Sequence, residues 1–437
     1  MCSVNKRVLV AMPHPDDETL LCAGVICSAL QAGDIVYVLL ATPGDFNGVE
    51  SGIERMLESA AAMDLLGLPK NNLIFLNYGD NGGLEQFGQR FTDSLLYRML
   101  VVNDPAECFR SRAGRTETYN GPFTSYHHRV YGCQAAYTRQ NFLNDLQSVI
   151  HEIRPDEIYT SSRFDMHADH ASLYFFIIEA IRNLRRQDMA FCPIVYEALA
   201  HACEGDKTWP PQRKHRGFFP MPKALETATL LDWNRRVSIK LPSEMWTPAG
   251  GGLKAEALCL YNSQRCTYVD AFARRDEIFW AERCNGISCF ATATASSELQ
   301  GEWNCEAAKA IDGVADGFSN SLARGGLTSH NRFPFAEWVS NGERSGAWLQ
   351  LDWQEPYTVN RIVLYDRPNP DDRITGATLL FSDGFKLAVG PLPPDGRQLE
   401  ICFPERSIRW VKLSVDTVSA NTRCVGIAEI EVFCSRS

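Results

Sequence analysis

The chain has 437 residues, 45% of them hydrophobic and 22% charged, and its 43 basic and 53 acidic side chains give a net charge of −10. At about 150 residues per domain this length corresponds to two or three domains, and the composition excludes a disordered or collagen-like chain. The acidic excess is shared by both ends of the chain, so no basic nucleic-acid arm is expected, and the longest apolar stretch, residues 173–181, falls far short of the ~20 residues of a membrane span.

At the N-terminus, Lys6 and Arg7 precede only Val8 to Met12, too short an apolar run for a signal peptide, and a cytoplasmic location is the expectation. The 15 cysteines include no C-x-x-C pair, which argues for buried thiols over a zinc ribbon. Residues 7–12 read as a buried strand, 18–31 as a helix, 35–41 as a second strand and 53–66 as a helix. Further strands are predicted at 72–76, 157–160 and 194–196, with helices near 85–100, 139–153 and 170–184. This alternation predicts an α/β fold, a mostly parallel sheet with helices on both faces. Residues 101–138 are polar, aromatic and too long for an ordinary connection, and read as an insertion or lid. Residues 271–283 read as helical.

After Asn285 short alternating runs at 348–353, 359–365, 377–381, 408–415 and 427–433 are separated by turn residues, the pattern of an all-β, jelly-roll-like sandwich. The expected division is therefore 1–285 and 286–437.

Two clusters carry the chemistry. Pro13-His14-Pro15-Asp16-Asp17-Glu18 follows the first strand and opens a helix, and Asp165-Met166-His167-Ala168-Asp169-His170 does the same after the strand at 157–160. Carboxyl ends of parallel strands are where ligands bind, and three adjacent acids without a basic neighbour call for a cation. His14, Asp17 and His170 would supply the nitrogen and oxygen ligands of a catalytic zinc site with one position open. Taken singly, Asp16, Asp17 or Asp169 would serve equally well as helix caps; two clusters on one sheet favour the metal.

PHPDDE together with DMHADH resembles the LmbE/PIG-L family of zinc-dependent N-acetylglucosaminyl deacetylases, supported by Thr42-Pro43-Gly44-Asp45, Arg55-x-x-Glu58, Asn77-Tyr78-Gly79-Asp80 and the segment 254–264. The resemblance implies a Rossmann-like layered fold over most of residues 5–265. It also implies Zn²⁺ on His14, Asp17 and His170, with Asp16 as general base toward the activated water. Protonated His167, oriented by Asp169 or Asp165, would stabilise the oxyanion, and Arg55 and Asp80 would hold sugar hydroxyls. Alternatively, Arg55 and Glu58 form a surface pair on their helix. Some family members carry a tyrosine where this chain has Asp165. In the insertion, Tyr119, Tyr126, His127, His128 and Arg129 are candidates for substrate contact or for a packed lid.

Residues 287–437 resemble a coagulation-factor type C (discoidin-like) domain through Ala293 to Ser297, Ala310-Ile311-Asp312-Gly313, Trp348 to Trp353, Tyr365-Asp366-Arg367 and Gly426 to Val432. This implies a structural Ca²⁺ near Asp312, Asp316 and Glu429, to be weighed against a plain Asp-Gly turn beside a solvated glutamate. Of its tryptophans Trp303, Trp338, Trp348, Trp353 and Trp410, Trp348 and Trp353 are expected in the core, and Cys289 and Cys434 are expected to be thiols. The leading expectation is a zinc-dependent N-deacetylase of an amino sugar or glycoconjugate with an appended sandwich that binds glycan or braces the fold. Two others stand beside it: an amidase acting on a thiol conjugate or antibiotic precursor, and a non-catalytic glycan-binding protein. The sequence does not set the oligomeric state.

Overall fold

The computed structural model describes residues 5–84, 88–201, 209, 217–222, 225, 231–247, 251–301, 304–313, 315, 337–367, 369, 371–394 and 396–434. The chain divides into two compact units, with a boundary between Cys284 and Asn285. Among the described residues no helix is long and apolar enough to cross a membrane.

The first unit is built on β1 (Arg7–Met12), whose residues Val8 to Met12 are all buried. It continues through α1 (Asp17–Gln31), β2 (Ile35–Leu40), α2 (Val49–Leu65) and β3 (Leu73–Phe75). Next come α3 (Leu95–Val101), α4 (Tyr126–Tyr131), α5 (Arg139–Ile153), β4 (Glu157–Ser161), α6 (Ala168–Gln187) and β5 (Ile194–Ala198). It closes with β6 (Val237–Lys240), α7 (Leu253–Leu258), α8 (Thr267–Asp270) and β7 (Asp276–Arg283). The sheet order is β3-β2-β1-β4-β5-β7-β6; the first five strands are parallel, and β7 is antiparallel to both neighbours. From β1 the chain winds outward to β2 and β3, then returns past β1 to β4 and β5. Right-handed crossovers therefore put the two sets of helices on opposite faces. Accordingly α1 and α2 pack on α7, while α3 and α5 pack on α6.

Two sequence expectations are corrected here. Residues 271–283 are not one helix: from Asp276 they form β7, whose run Ile278, Phe279 and Trp280 is buried between β5 and β6. An apolar run buried on both faces of the sheet loses the period-2 signal and is indistinguishable by pattern from a buried helix. The helix expected over 85–100 is also shorter among the described residues; after a 3₁₀ turn at Phe91–Asp93, Ser94 caps α3 by accepting from the Tyr97 N–H. Residues 85–87 lie outside the described residues.

The region 101–138 is folded onto itself and onto the end of β3. Thr118 N–H donates to Ala135 O and Tyr137 N–H to Thr116 O, both at 2.8 Å. The Asn77 side chain donates to Tyr119 O at 2.8 Å, and the Arg112 N–H to Asn81 Oδ1 at 2.7 Å.

The second unit is antiparallel. It comprises β8 (Thr292–Ala295), β9 (Trp338–Val339), β10 (Trp348–Tyr365), β11 (Ile374–Phe381), β12 (Lys386–Val389), β13 (Gln398–Val418), β14 (Gly426–Ile427) and β15 (Glu429–Cys434). One sheet runs β12-β11-β13-β10-β15 with β8 also on β10, and β14 pairs with β9 in a second. The two strands expected at 348–353 and 359–365 are one strand, bent at register breaks between Asp352 and Tyr357 and between Val359 and Arg361. Pro356 falls in the first break and Pro404 opposite the second, where no ladder hydrogen bond is lost. The core gathers Trp338, Leu351, Trp353, Ile362, Leu413 and Val432.

Candidate active site

In the first unit β1 and β4 are neighbours from which the chain leaves in opposite directions, so their carboxyl ends form the topological switch point of the sheet. His14 to Asp17 leave β1 and Asp165 to His170 leave β4. Both clusters therefore meet in one crevice for a topological reason.

Neither cluster is spent on capping by its aspartates. Asp16 sits at the N-cap of α1 without a side-chain cap bond, and His167 caps α6 by accepting the Asp169 N–H at Nδ1, 3.2 Å away. Asp16 has φ +131°, a conformation that costs a non-glycine residue about 1–3 kcal/mol. Glu18 offsets it by accepting the Asp16 N–H at 2.9 Å. Glu18 is itself fully buried and held by Ser59 Oγ and Tyr261 OH, each at 2.5 Å.

Asp17 Oδ2 lies 3.2 Å from His14 Nδ1 and 3.3 Å from His170 Nε2. His14, Asp17 and His170, all buried, place one donor atom each within 4.8 Å of the others. Two imidazoles and one carboxylate converging without a basic side chain form a donor set suited to zinc. Outside it, His14 Nε2 lies 3.1 Å from Asp169 Oδ2 and 3.9 Å from Asp80 Oδ2, and Asp169 Oδ1 takes the Ser94 hydroxyl. A carboxylate behind a ligating imidazole fixes its tautomer and strengthens it as a donor.

Charge follows this geometry. Burial works against a charged His14, but Asp80, Asp169 and Asp17 outweigh it and raise the ring to about 10. His170 is likewise driven up by Asp17 and Asp165 against burial, and Asp17 is pulled down by His170 and His14. The crevice demands positive charge. Burial pushes Asp16 up to about 7, opposed by Arg55 and aided by Asp17.

His167 differs from expectation. Burial first, and then the neighbouring His14, His170 and His201, hold it well below the usual histidine range. The Asp169 carboxylate bonds to His14 and Ser94 and keeps an oxygen within 4.8 Å of a His167 ring nitrogen, and Asp165 Oδ1 accepts the His167 backbone N–H at 2.9 Å. With Nδ1 accepting the Asp169 N–H, the neutral ring carries its proton on Nε2. In this arrangement the Nδ1 of His167 is engaged by a backbone N–H.

Arg55 is buried and makes no surface pair with Glu58. Its guanidinium lies 3.3 Å from Asp16 Oδ2 and donates to Pro15 O at 2.8 Å. Glu58 instead accepts the Ser263 N–H and hydroxyl at 2.8 and 2.6 Å. Gly44 makes room for this arrangement: at φ +71° it carries no Cβ, and one would stand 2.7 Å from the guanidinium. Asp80 lines the same crevice, donating its N–H to Asp45 Oδ1 at 2.8 Å and accepting the Gly82 N–H at 2.7 Å.

In the insertion, Tyr126 donates to Ser148 at 2.8 Å and His127 lies 2.7 Å from Asp145, both partners on α5, while His128 contacts Gln134 at 3.1 Å. Arg129 stacks on Tyr126, and Tyr119 is buried. These residues pack the insertion. In the second unit Glu429 is buried and accepts the Gly313 N–H at 3.0 Å, on the Asp312-Gly313 turn; Asp316 and Trp303 lie outside the described residues. Trp353 is buried, whereas Trp348 is half-buried beneath Lys412, whose Nζ is 4.2 Å from the ring centre. Cys289 is buried and Cys434 half-buried.

Reading the sequence missed Ser94 and His201 as parts of this centre, and assigned no individual role to Glu18 or Tyr261 within their motifs. His201 had an available signal: it follows a predicted parallel strand, where ligands bind.

Residues 9–181 match the family described as GlcNAc-PI de-N-acetylase (PIG-L), and residues 286–433 match a domain of unknown function, DUF7402. A diacetylchitobiose deacetylase of Thermococcus kodakarensis is 34% identical over 82 residues, which are 17% of this chain and 30% of that protein. The match thus spans under a third of that relative's length. Among solved structures, CpGH89CBM32-5 from Clostridium perfringens, in complex with GalNAc-β-1,3-galactose, is 18% identical with a TM-score of 0.26, covering 34% of this chain and 97% of that one. A fucolectin from striped bass (Morone saxatilis) serum is 18% identical with a TM-score of 0.26, covering 35% of this chain and 49% of that one.

Proposed function

We propose that this chain, which carries a PIG-L (LmbE) domain over residues 9–181, is a metal-dependent N-deacetylase that releases acetate from an N-acetylated amino sugar or glycoconjugate. One observation carries the reading: His14, Asp17 and His170 converge, and Asp16, outside that donor set, stands beside them on Arg55 with an affinity for protons near neutrality. His14 Nδ1, Asp17 and His170 Nε2 would hold a zinc ion. When bound, that ion would supply Lewis acidity, polarising the acetamide and making water acidic enough to attack at neutral pH.

The protein's own groups account for the rest. Asp16 accepts the proton of the attacking water: a carboxylate raised to about 7 is a stronger base than an ordinary one, and about half of it is ionised at neutral pH. The neutral His167, with its proton on Nε2, donates a hydrogen bond to the oxygen that becomes negative, in a buried site where such a bond is strongest. Asp16 then returns its proton to the leaving nitrogen, and amine and acetate separate. Arg55 keeps Asp16 from being protonated outright. Asp80, at the rim of the donor set, is available to a sugar hydroxyl. The diacetylchitobiose deacetylase match supports an N-acetylglucosamine-type substrate.

The second unit is proposed to retain glycan. Acetate release screened over free and conjugated N-acetylhexosamines tests the activity; release from at least one, lost on chelation and restored by Zn²⁺, is the expected result. Absence of release from all of them would overturn it.

A further inference from the structure

Asp165 is fully buried, and its two oxygens gather groups from two different strand ends. Oδ1 accepts the His167 N–H at 2.9 Å; Oδ2 accepts the N–H groups of Ala200 and His201, just past β5, at 2.8 and 2.9 Å. The Met166 N–H donates back to His201 O at 3.0 Å, so the loops after β4 and β5 are stitched in both directions. Two imidazoles turn the same atom toward this carboxylate: His201 Nδ1 is 3.1 Å from Oδ1, and His170 Nδ1 is 3.4 Å from Oδ2. The Nδ1 of His170 has no aligned hydrogen-bond partner, although its other nitrogen faces Asp17. The ring of His201 is stacked on Tyr268, with centroids 5.3 Å apart and planes 13° apart, and the Tyr268 hydroxyl donates to Ala200 O at 2.7 Å. His201 stands 5.1 Å from the ring of His170 and 5.8 Å from that of His167. It lies beyond the segment that matches the PIG-L family.

We infer that Asp165 and His201 are positioning residues of this centre. The Asp165 carboxylate, 3.4 Å from His170 Nδ1, favours the His170 tautomer with its proton on Nδ1 and its lone pair on Nε2, aimed at the cation; His201, clamped between Asp165 and Tyr268, keeps that carboxylate in place. The inference rests on the reading of His14, Asp17 and His170 as the donor set. Asp165, His170 and His201 also cluster closely enough to hold an ion of their own. Three backbone N–H groups already occupy the Asp165 oxygens, which is how a carboxylate is used to orient, not to ligate.

The test is Zn²⁺ affinity of the full-length, metal-stripped chain, measured by competition with a chromophoric chelator. Wild type is compared with Asp165→Asn, His201→Ala, His201→Asn and, as a control, His170→Ala. Wild type should bind one ion and His170→Ala should lose it. Asp165→Asn should bind one ion about 10- to 100-fold more weakly, as for lost outer-shell partners of metal ligands. His201→Ala should weaken binding in the same direction, and His201→Asn should restore it, because the asparagine NH₂ occupies the place of Nδ1–H. If Asp165→Asn does not fold, the two His201 variants decide between the outcomes. Affinities of Asp165→Asn and His201→Ala within two-fold of wild type, with His170→Ala impaired, would overturn the inference while leaving the donor set intact. Two ions in wild type, one of them lost in either variant, would overturn it by making these residues ligands. Equal binding by wild type and His170→Ala would instead remove the donor set.

Discussion

In the proposed reaction Asp16 is the residue on which the chemistry turns, and its two supports act on different properties. Arg55 sets its charge: burial raises the carboxyl to about 7 while the guanidinium opposes the rise. Activity should therefore fall as pH drops through the Asp16 titration, since the base must be ionised. Arg55→Met should move that acid limb of kcat/KM to higher pH, as a pH–rate profile would record. Glu18 sets the geometry, holding the φ +131° backbone through the Asp16 N–H. Glu18→Gln keeps the shape but loses an acceptor for Ser59 or Tyr261. It should lower kcat by up to about 10²-fold, the cost of a misplaced catalytic group, with metal content unchanged; steady-state kinetics beside metal analysis checks this. Both clusters proposed to hold the metal were legible because each is contiguous and opens a helix. The individual role of Glu18, and Ser94 and His201 altogether, were not, because they depend on contacts with segments far away in sequence, Tyr261 for Glu18 and Asp169 for Ser94.

At the scale of elements, α1 shows how a long-range partner rewrites a local signal. Glu277 on β7 accepts the N–H groups of Gly24 and Val25 at 2.8 and 3.0 Å, and Lys254 on α7 bonds both to Glu277, at 2.6 Å, and to Leu20 O, at 2.8 Å. A buried ion pair is thus wedged into the middle of the helix that carries Asp17. Glu277→Ala leaves Lys254 buried and uncompensated, and should destabilise the first unit by about 3–5 kcal/mol in denaturant unfolding. The double change Glu277→Leu with Lys254→Met should recover part of that. The same strand explains the misreading of residues 271–283. Burial on both faces erased the alternation, for even the acidic residues Asp276 and Glu277 are buried. In the second unit turn residues marked the strands well, but no local signal distinguishes a bulged strand such as β10 from two separate ones.

For the whole molecule, the sheet order explains why two motifs about 150 residues apart form one centre, since only a switch point between β1 and β4 brings them together. The appended unit is proposed to retain glycan, and deleting residues 287–437 should leave turnover of a free N-acetyl sugar within about two-fold while weakening retention on immobilised glycan. Loss of turnover together with aggregation would assign it a bracing role instead. The central claim is that His14, Asp17 and His170 hold the metal while Asp16, outside that set, moves the proton. Acetate release and bound metal, measured together on wild type and Asp16→Asn, test it most directly. The account predicts one metal ion per chain in both proteins and a rate at least about 10²-fold lower in the variant, within the range for loss of a general base. An Asp16→Asn protein that binds its metal normally and releases acetate at the wild-type rate would contradict it.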